Sequence, residues 1–134
     1  MRSMLAGLAT VLALTSFSTA LAGAKDRAPP ETELAKMLEG RTAGEPVDCI
    51  NQRSIASVKI IDKTAVVYQM PGGALYVNRP AGAAFLDRDA ALVTNTIGNR
   101  LCRMDIVNLI DPGMSFSHGS VSLNAFVPYA KPRP

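Results

Sequence analysis

Two turn signals close together in the middle of the chain limit its fold more than any other feature. Asp62-Lys63 and Pro71-Gly72-Gly73 separate three short β-rich runs: Ala56-Ser57-Val58-Lys59-Ile60, Thr64-Ala65-Val66-Val67-Tyr68-Gln69-Met70 and Ala74-Leu75-Tyr76-Val77-Asn78. In the first run apolar Ala56, Val58 and Ile60 alternate with Ser57 and Lys59, the period-two pattern of a strand with one wet face. Three such runs joined by tight turns make an antiparallel meander. The rest of the fold has to be built around it.

On the C-terminal side, Ala90-Ala91-Leu92-Val93-Thr94 reads as a fourth strand and Cys102 to Ile110 as a fifth, with Cys102, Met104 and Ile106 on one face. Asp111-Pro112-Gly113 ends the fifth as a turn, and Phe116 to Val127 holds one last weak strand. On the N-terminal side, Thr32 is placed to cap a short helix over Glu33 to Leu38, with Leu34, Met37 and Leu38 on one side and Gly40 as its stop. Gly40 to Pro46 is then a loop. The expected fold is mainly β: a small antiparallel meander or partly open barrel of five or six strands, with one short N-terminal helix. Residues 23–46 form a leader and that helix, 47–128 a single β-rich domain, and the Pro-rich residues 129–134 a disordered tail.

The first residues carry an address. Arg2 gives a positive start, Leu5 to Leu14 an uncharged apolar run, and Ser16 to Ala24 a small, weakly polar stretch, the three parts of a secretory signal peptide. Residues 1–22 are read as that signal, and small-x-small spacing allows cleavage after Ala22 or after Ala24. A transmembrane anchor needs about 20 predominantly apolar residues, and the run here is shorter. Leu21-Ala22-Gly23-Ala24 differs by one letter from a lipoprotein site, but lipidation needs a thiol and Ala24 has none. The expectation is a periplasmic or secreted protein with no stable membrane anchor after cleavage.

Both cysteines, Cys49 and Cys102, lie in the exported part. In an oxidising compartment such a pair forms a structural disulfide; redox-active pairs favour C-x-x-C spacing, which is missing. Removal of Arg2 with the signal lowers the formal charge by one from +3. The remaining charges alternate in sign and never cluster, and the chain has no Trp. A nucleic-acid surface wants clustered Lys and Arg with stacking aromatics, so that class is excluded.

Three motifs, CINQRSI-x-S-x-KIID-x-x-x-VVY (Cys49 to Tyr68), LYVNR (Leu75 to Arg79) and NRLCRMD (Asn99 to Asp105), together resemble a group of small exported proteobacterial proteins of unknown function, many of them lipoprotein-like. The resemblance runs from about Cys49 to Pro128. It implies an envelope location and no activity. Relatives carry two further cysteines, near Ala83 to Leu86 and near Ser120 to Ser122, and a lipidated relative has Cys at the position of Ala24; this chain has none of these.

Candidate chemistry is thin. His118, the only histidine, stands in Ser115-Phe116-Ser117-His118-Gly119-Ser120. A hydrolase built on it needs a nearby Ser within hydrogen-bond reach and an orienting acid such as Asp111 or Asp105, yet no G-x-S-x-G elbow is present. One His and two paired Cys leave no zinc set. Met114 and His118, with Met37, Met70 and Met104, are soft donors for copper, although Met70 and Met104 on strand faces read more simply as core. Asp87 and Asp89 would share a face if extended, but Asp-Arg-Asp in a turn is ordinarily a solvated cluster. No catalytic, cofactor or metal residue is assigned. Tyr68 and Tyr76 fall on adjacent strands, where they either pack across the sheet or present an interface. The expected function is a non-enzymatic binding or structural module of the envelope, inhibitor-like at its sharpest, whose partner is an envelope protein or polymer; the alternative is the small hydrolase using His118.

Overall fold

A computed structural model describes residues 27–134. The signal peptide expected at residues 1–22, and Ala24 with it, lie outside the described residues. From Arg27 onward the chain forms one helix and ten strands: α1 (Pro30–Leu38), β1 (Thr42–Ala43), β2 (Cys49–Asn51), β3 (Ser57–Ile61), β4 (Ala65–Gln69), β5 (Leu75–Asn78), β6 (Ala91–Thr94), β7 (Arg100–Cys102), β8 (Ile106–Ile110), β9 (Ser117–Ser122) and β10 (Phe126–Ala130). Every pairing is antiparallel. The strands form a five-stranded sheet in the order β1-β10-β5-β4-β3, a three-stranded sheet β6-β8-β9, and the pair β2-β7.

The expected meander forms one end of the large sheet, β5-β4-β3, with β3 at the edge and Tyr68 opposite Tyr76. Its tight turns sit where the sequence puts them, and Lys63, Gly72 and Gly73 supply the left-handed backbone those turns need, at φ 52°, 86° and 91°. One face of this sheet carries α1: Leu34 packs with Ile61, Ala65, Val67, Leu75 and Val77, with Met37, Leu38 and Tyr129 at the margin. The other face meets the small sheet. There Ile60, Val66, Tyr68 and Phe126 pack with Val107, Leu109, Val121 and Leu123, and with Ile50 and Leu101 of the β2-β7 pair.

Coverage on both faces explains a departure in β3. Simple alternation puts Ala56, Val58 and Ile60 inside and the intervening residues in water. Instead the adjacent Ile60 and Ile61 are both buried, one under each layer, Ala56 lies outside the strand and is exposed, and Val58 is 45% exposed. The helix also starts earlier than expected. Pro29 occupies the cap position and Pro30 the first turn, with no side-chain cap, so Thr32 is not the cap. Proline suits that position because its fixed φ is helical and its missing N–H would be unpaired anyway. The stop is as expected: the helix ends at Leu38, and Gly40 follows at φ 72°.

The strand expected over Cys102 to Ile110 is two strands. Asp105 breaks it, its carboxylate accepting the Cys102 N–H at 2.7 Å while its own N–H bonds Cys102 C=O at 3.1 Å. Met104 in that turn has φ 75° and is 71% exposed, so it is not a core residue; Ile106 is exposed too, and Val107 and Leu109 face inward instead. The last weak strand likewise resolves into β9 and β10, the latter reaching Ala130, two residues into the expected tail. β1 lies in the stretch read as loop and β2 in a stretch assigned no strand; together with the two splits they take the count from five or six strands to ten.

Cys49 and Cys102 are directly opposed in the β2-β7 pair and joined by a disulfide. The fold is thus mainly β with one helix and one bridge, and its barrel is open. Ladders run from β3 through β4 and β5, across the bridge between Ala81 and Ser122, and on through β9 and β8 to β6. β3 and β6 end the series without pairing to each other.

Candidate functional site

The gap between β3 and β6 is a seam in what is otherwise a continuous antiparallel run. Above it, β2 and β7 pair through the disulfide, Gln52 N–H bonds Asn99 C=O at 2.8 Å, and the Gln52 side chain reaches the hydroxyls of Thr94 (3.1 Å) and Thr96 (3.0 Å). Below it, Lys63 N–H bonds Leu86 C=O at 3.0 Å, and Asp62 receives both the Arg88 N–H (2.7 Å) and its Nε–H (2.8 Å). Between these fastenings lies a groove of about 440 Å³, walled by Val58, Lys59 and Ile60 on one side and by Ala90 and Leu92 on the other, with Arg88 and Asp89 at the rim.

The hydrogen-bond alternation of the sheet decides what β3 offers to this groove. The β4-β5 turn closes with Met70 N–H on Ala74 C=O, so in antiparallel alternation Tyr68 and Val66 bond to β5, while Gln69, Val67 and Ala65 bond to β3. Their partners on β3 are Ser57, Lys59 and Ile61. A bulge at Ala56, whose N–H also bonds Gln69 C=O at 2.8 Å, fits the same alternation. Val58 and Ile60 therefore turn their N–H and C=O groups toward the seam.

Charge is arranged along the lower fastening. Glu33, from the first turn of α1, accepts from Lys59 Nζ at 2.8 Å and from Arg88 Nη2 at 3.1 Å. The bond from Lys59, with Arg88 beside it, holds the Glu33 carboxyl below the ordinary glutamate value. Burial pushes Asp62 up, but its two bonds from Arg88 outweigh burial and leave it below the usual aspartate value. Both cations are thus committed. Next to them, Asp87, Asp89, Asp111 and His118 line an adjoining hollow that shares Asp89 and Ala90 with the seam.

The sequence candidates are distributed as follows. His118 is exposed on β9, and no hydrogen bond joins it to Ser115, Ser117 or Ser120 among the described residues; Ser117 Oγ donates to Gly119 C=O at 3.4 Å. Asp111 accepts Gly113 N–H and Asp105 accepts Cys102 N–H, so each proposed orienting acid is engaged in its own turn. Asp87 accepts the Asp89 N–H at 2.8 Å, which makes the Asp-Arg-Asp segment a turn rather than a strand. Met114 is exposed, whereas Met37 and Met70 pack against the two cores. Among the described residues no three His, Cys, Asp or Glu side chains come together as a metal site.

Tyr68 is core, in edge-to-face contact with Phe126 at 5.7 Å, and burial drives its phenol well above the ordinary tyrosine value. Tyr76 is half-buried and lines a second groove with Val47, Cys49, Ile50, Met70 and Pro71. What sequence reading missed is the seam itself. Its one local signal is Lys59, a charged residue in the middle of an edge strand. Among the described residues no helix is long and apolar enough to cross a membrane. No family model, curated protein or solved structure matches the chain.

Proposed function

We propose that the protein is an exported, non-enzymatic binding module of the cell envelope, and that it holds a protein partner in the open seam. The observation that carries this is the pair of strand edges, unpaired among the described residues, that face one groove held open between two sets of fastenings. Backbone polar groups without partners are costly away from water, and a strand edge left open is a template for another chain. The Cys49–Cys102 bond is compatible with an oxidising, extracytoplasmic compartment, and the signal-like residues 1–22 point the same way.

The test compares immobilised mature chains, residues 23–134, in periplasmic extract. Wild type and Glu45→Ala, at an exposed residue outside the seam and its hollow, should capture the same protein, and Val58→Asp, which puts a charge on the groove wall, should lose it. Capture unaffected by Val58→Asp, or no capture by wild type, defeats the reading. Loss of capture in Glu45→Ala defeats it as well.

A further inference from the structure

The seam has a stricter requirement than shape. Val58 and Ile60 present N–H and C=O groups in the alternating geometry of an antiparallel edge, and only extended backbone satisfies both pairs at once. The opposite wall, Ala90 and Leu92, is short and apolar. The three β3 residues that line the groove, Val58 to Ile60, match about three residues of extended chain, at about 3.3 Å per residue. At the lower mouth, Asp87, Asp89 and Asp111 share a hollow with His118 and form no salt bridge to Lys or Arg among the described residues; Arg88 and Lys59 are held by Asp62 and Glu33.

We propose, resting on the binding-module reading, that the seam takes a short extended segment of the partner as an added strand along β3, with a basic side chain of that segment over Asp87, Asp89 and Asp111. Hydrogen bonds to β3 would then give affinity with little regard to sequence. The acidic mouth would select the charge and set the register.

The probe is a synthetic pentapeptide, acetyl-Thr-Val-Thr-Val-Arg-amide, titrated into isotope-labelled residues 23–134 and followed by amide shifts and hydrogen exchange. The Val58 and Ile60 amides should shift and exchange more slowly, and Arg-to-Glu in the peptide should weaken binding roughly tenfold in low salt. Methylating alternate peptide nitrogens, in the register that faces β3, should weaken it by about tenfold or more. Val58→Pro removes one outward N–H that β4 does not use, so the fold should survive while binding falls.

Equal binding of the N-methylated peptides overturns strand addition, as does binding that leaves Val58 and Ile60 amides unmoved. Equal binding of the Glu peptide overturns the acidic register. If no peptide binds while capture of an envelope protein still depends on Val58, the inference fails and the binding-module reading stands. If that dependence is also missing, both fail.

Discussion

The large and small sheets are joined twice, and the two joins are built differently. On the β5-β9 side the junction is backbone: Ala81 and Ser122 exchange hydrogen bonds at 2.9 and 3.0 Å. Beside it the buried Asn78 amide donates to Asn124 C=O at 2.7 Å and accepts Asn124 N–H at 3.1 Å. Gly119, at φ 143°, lets the Phe85 ring lie where a side chain would stand: a Cβ there would be 3.2 Å from the ring. On the β3-β6 side the main chains bond only near the ends of the gap, and side chains supply the rest, Gln52 above and Arg88 below. The sealed join satisfies its polar groups internally and offers nothing to a ligand. The seam leaves backbone groups of Val58 and Ile60 unspent, which is the condition for binding another strand.

The difference can be broken from either side. The largest effect belongs to the disulfide, which anchors the upper end of the seam. Replacing both cysteines by alanine frees a 53-residue separation and should cost about 4 kcal/mol on the chain-entropy account. Denaturant midpoints measure the loss. Hydrogen exchange then tells where it falls: amides of β6 and β7 should lose protection before those of β9. Uniform loss across both sheets would mean that the two joins are one cooperative unit.

Asn78→Ala attacks the sealed side. It removes both bonds to Asn124 and hollows a fully buried site, with an expected loss of about 2 kcal/mol in urea unfolding. Its mark should be early exchange of β9 and β10 amides with the β2-β7 pair still protected. A loss under about 0.5 kcal/mol would show that water replaces the clasp at Asn124, since surface changes of no consequence fall in that range.

The joins also differ in how far the sequence reveals them. The meander is legible because turn residues and β-branched runs are local signals, and Pro71-Gly72-Gly73 names its own turn. The disulfide is legible from compartment and count. The split at Asp105 is not, because it depends on one carboxylate reaching the Cys102 N–H, while apolar residues run through Cys102 to Ile110 without a break. β3 misleads for a related reason: Ile60 and Ile61 are both buried only because separate layers cover the two faces, and Val58 is exposed on an edge that no strand among the described residues pairs with. Absence of a neighbour has no residue to mark it. The candidate site was therefore the least readable part of the chain, and the His118 segment, the most conspicuous chemical motif, contributes to it only at the rim.

The smallest effect should separate the joins by pH. Asp62 and Glu33 both sit below their ordinary values of 3.8 and 4.5 in the folded protein, so they bind protons more weakly there than in the unfolded chain. Stability from such groups is fully present above the unfolded values and is lost as pH falls through the folded ones. Asp62→Asn should therefore cost roughly 1 kcal/mol at pH 7, discounted for partial solvent screening, since the Asp62 side chain is 27% exposed. Wild type and variant should begin to converge as pH falls below 3.8 and meet once it has passed the lowered value of the folded carboxyl, where the wild-type side chain is itself neutral. Asn78→Ala carries no ionisable group and should keep the same deficit from pH 7 to pH 2. Urea midpoints at pH 7, 5, 4, 3 and 2 give both curves. A deficit for Asp62→Asn that persists at pH 2 would mean that the carboxyl acts through the geometry of its hydrogen bonds to Arg88 rather than through charge. The lower end of the seam would then be fastened much as the sealed side is.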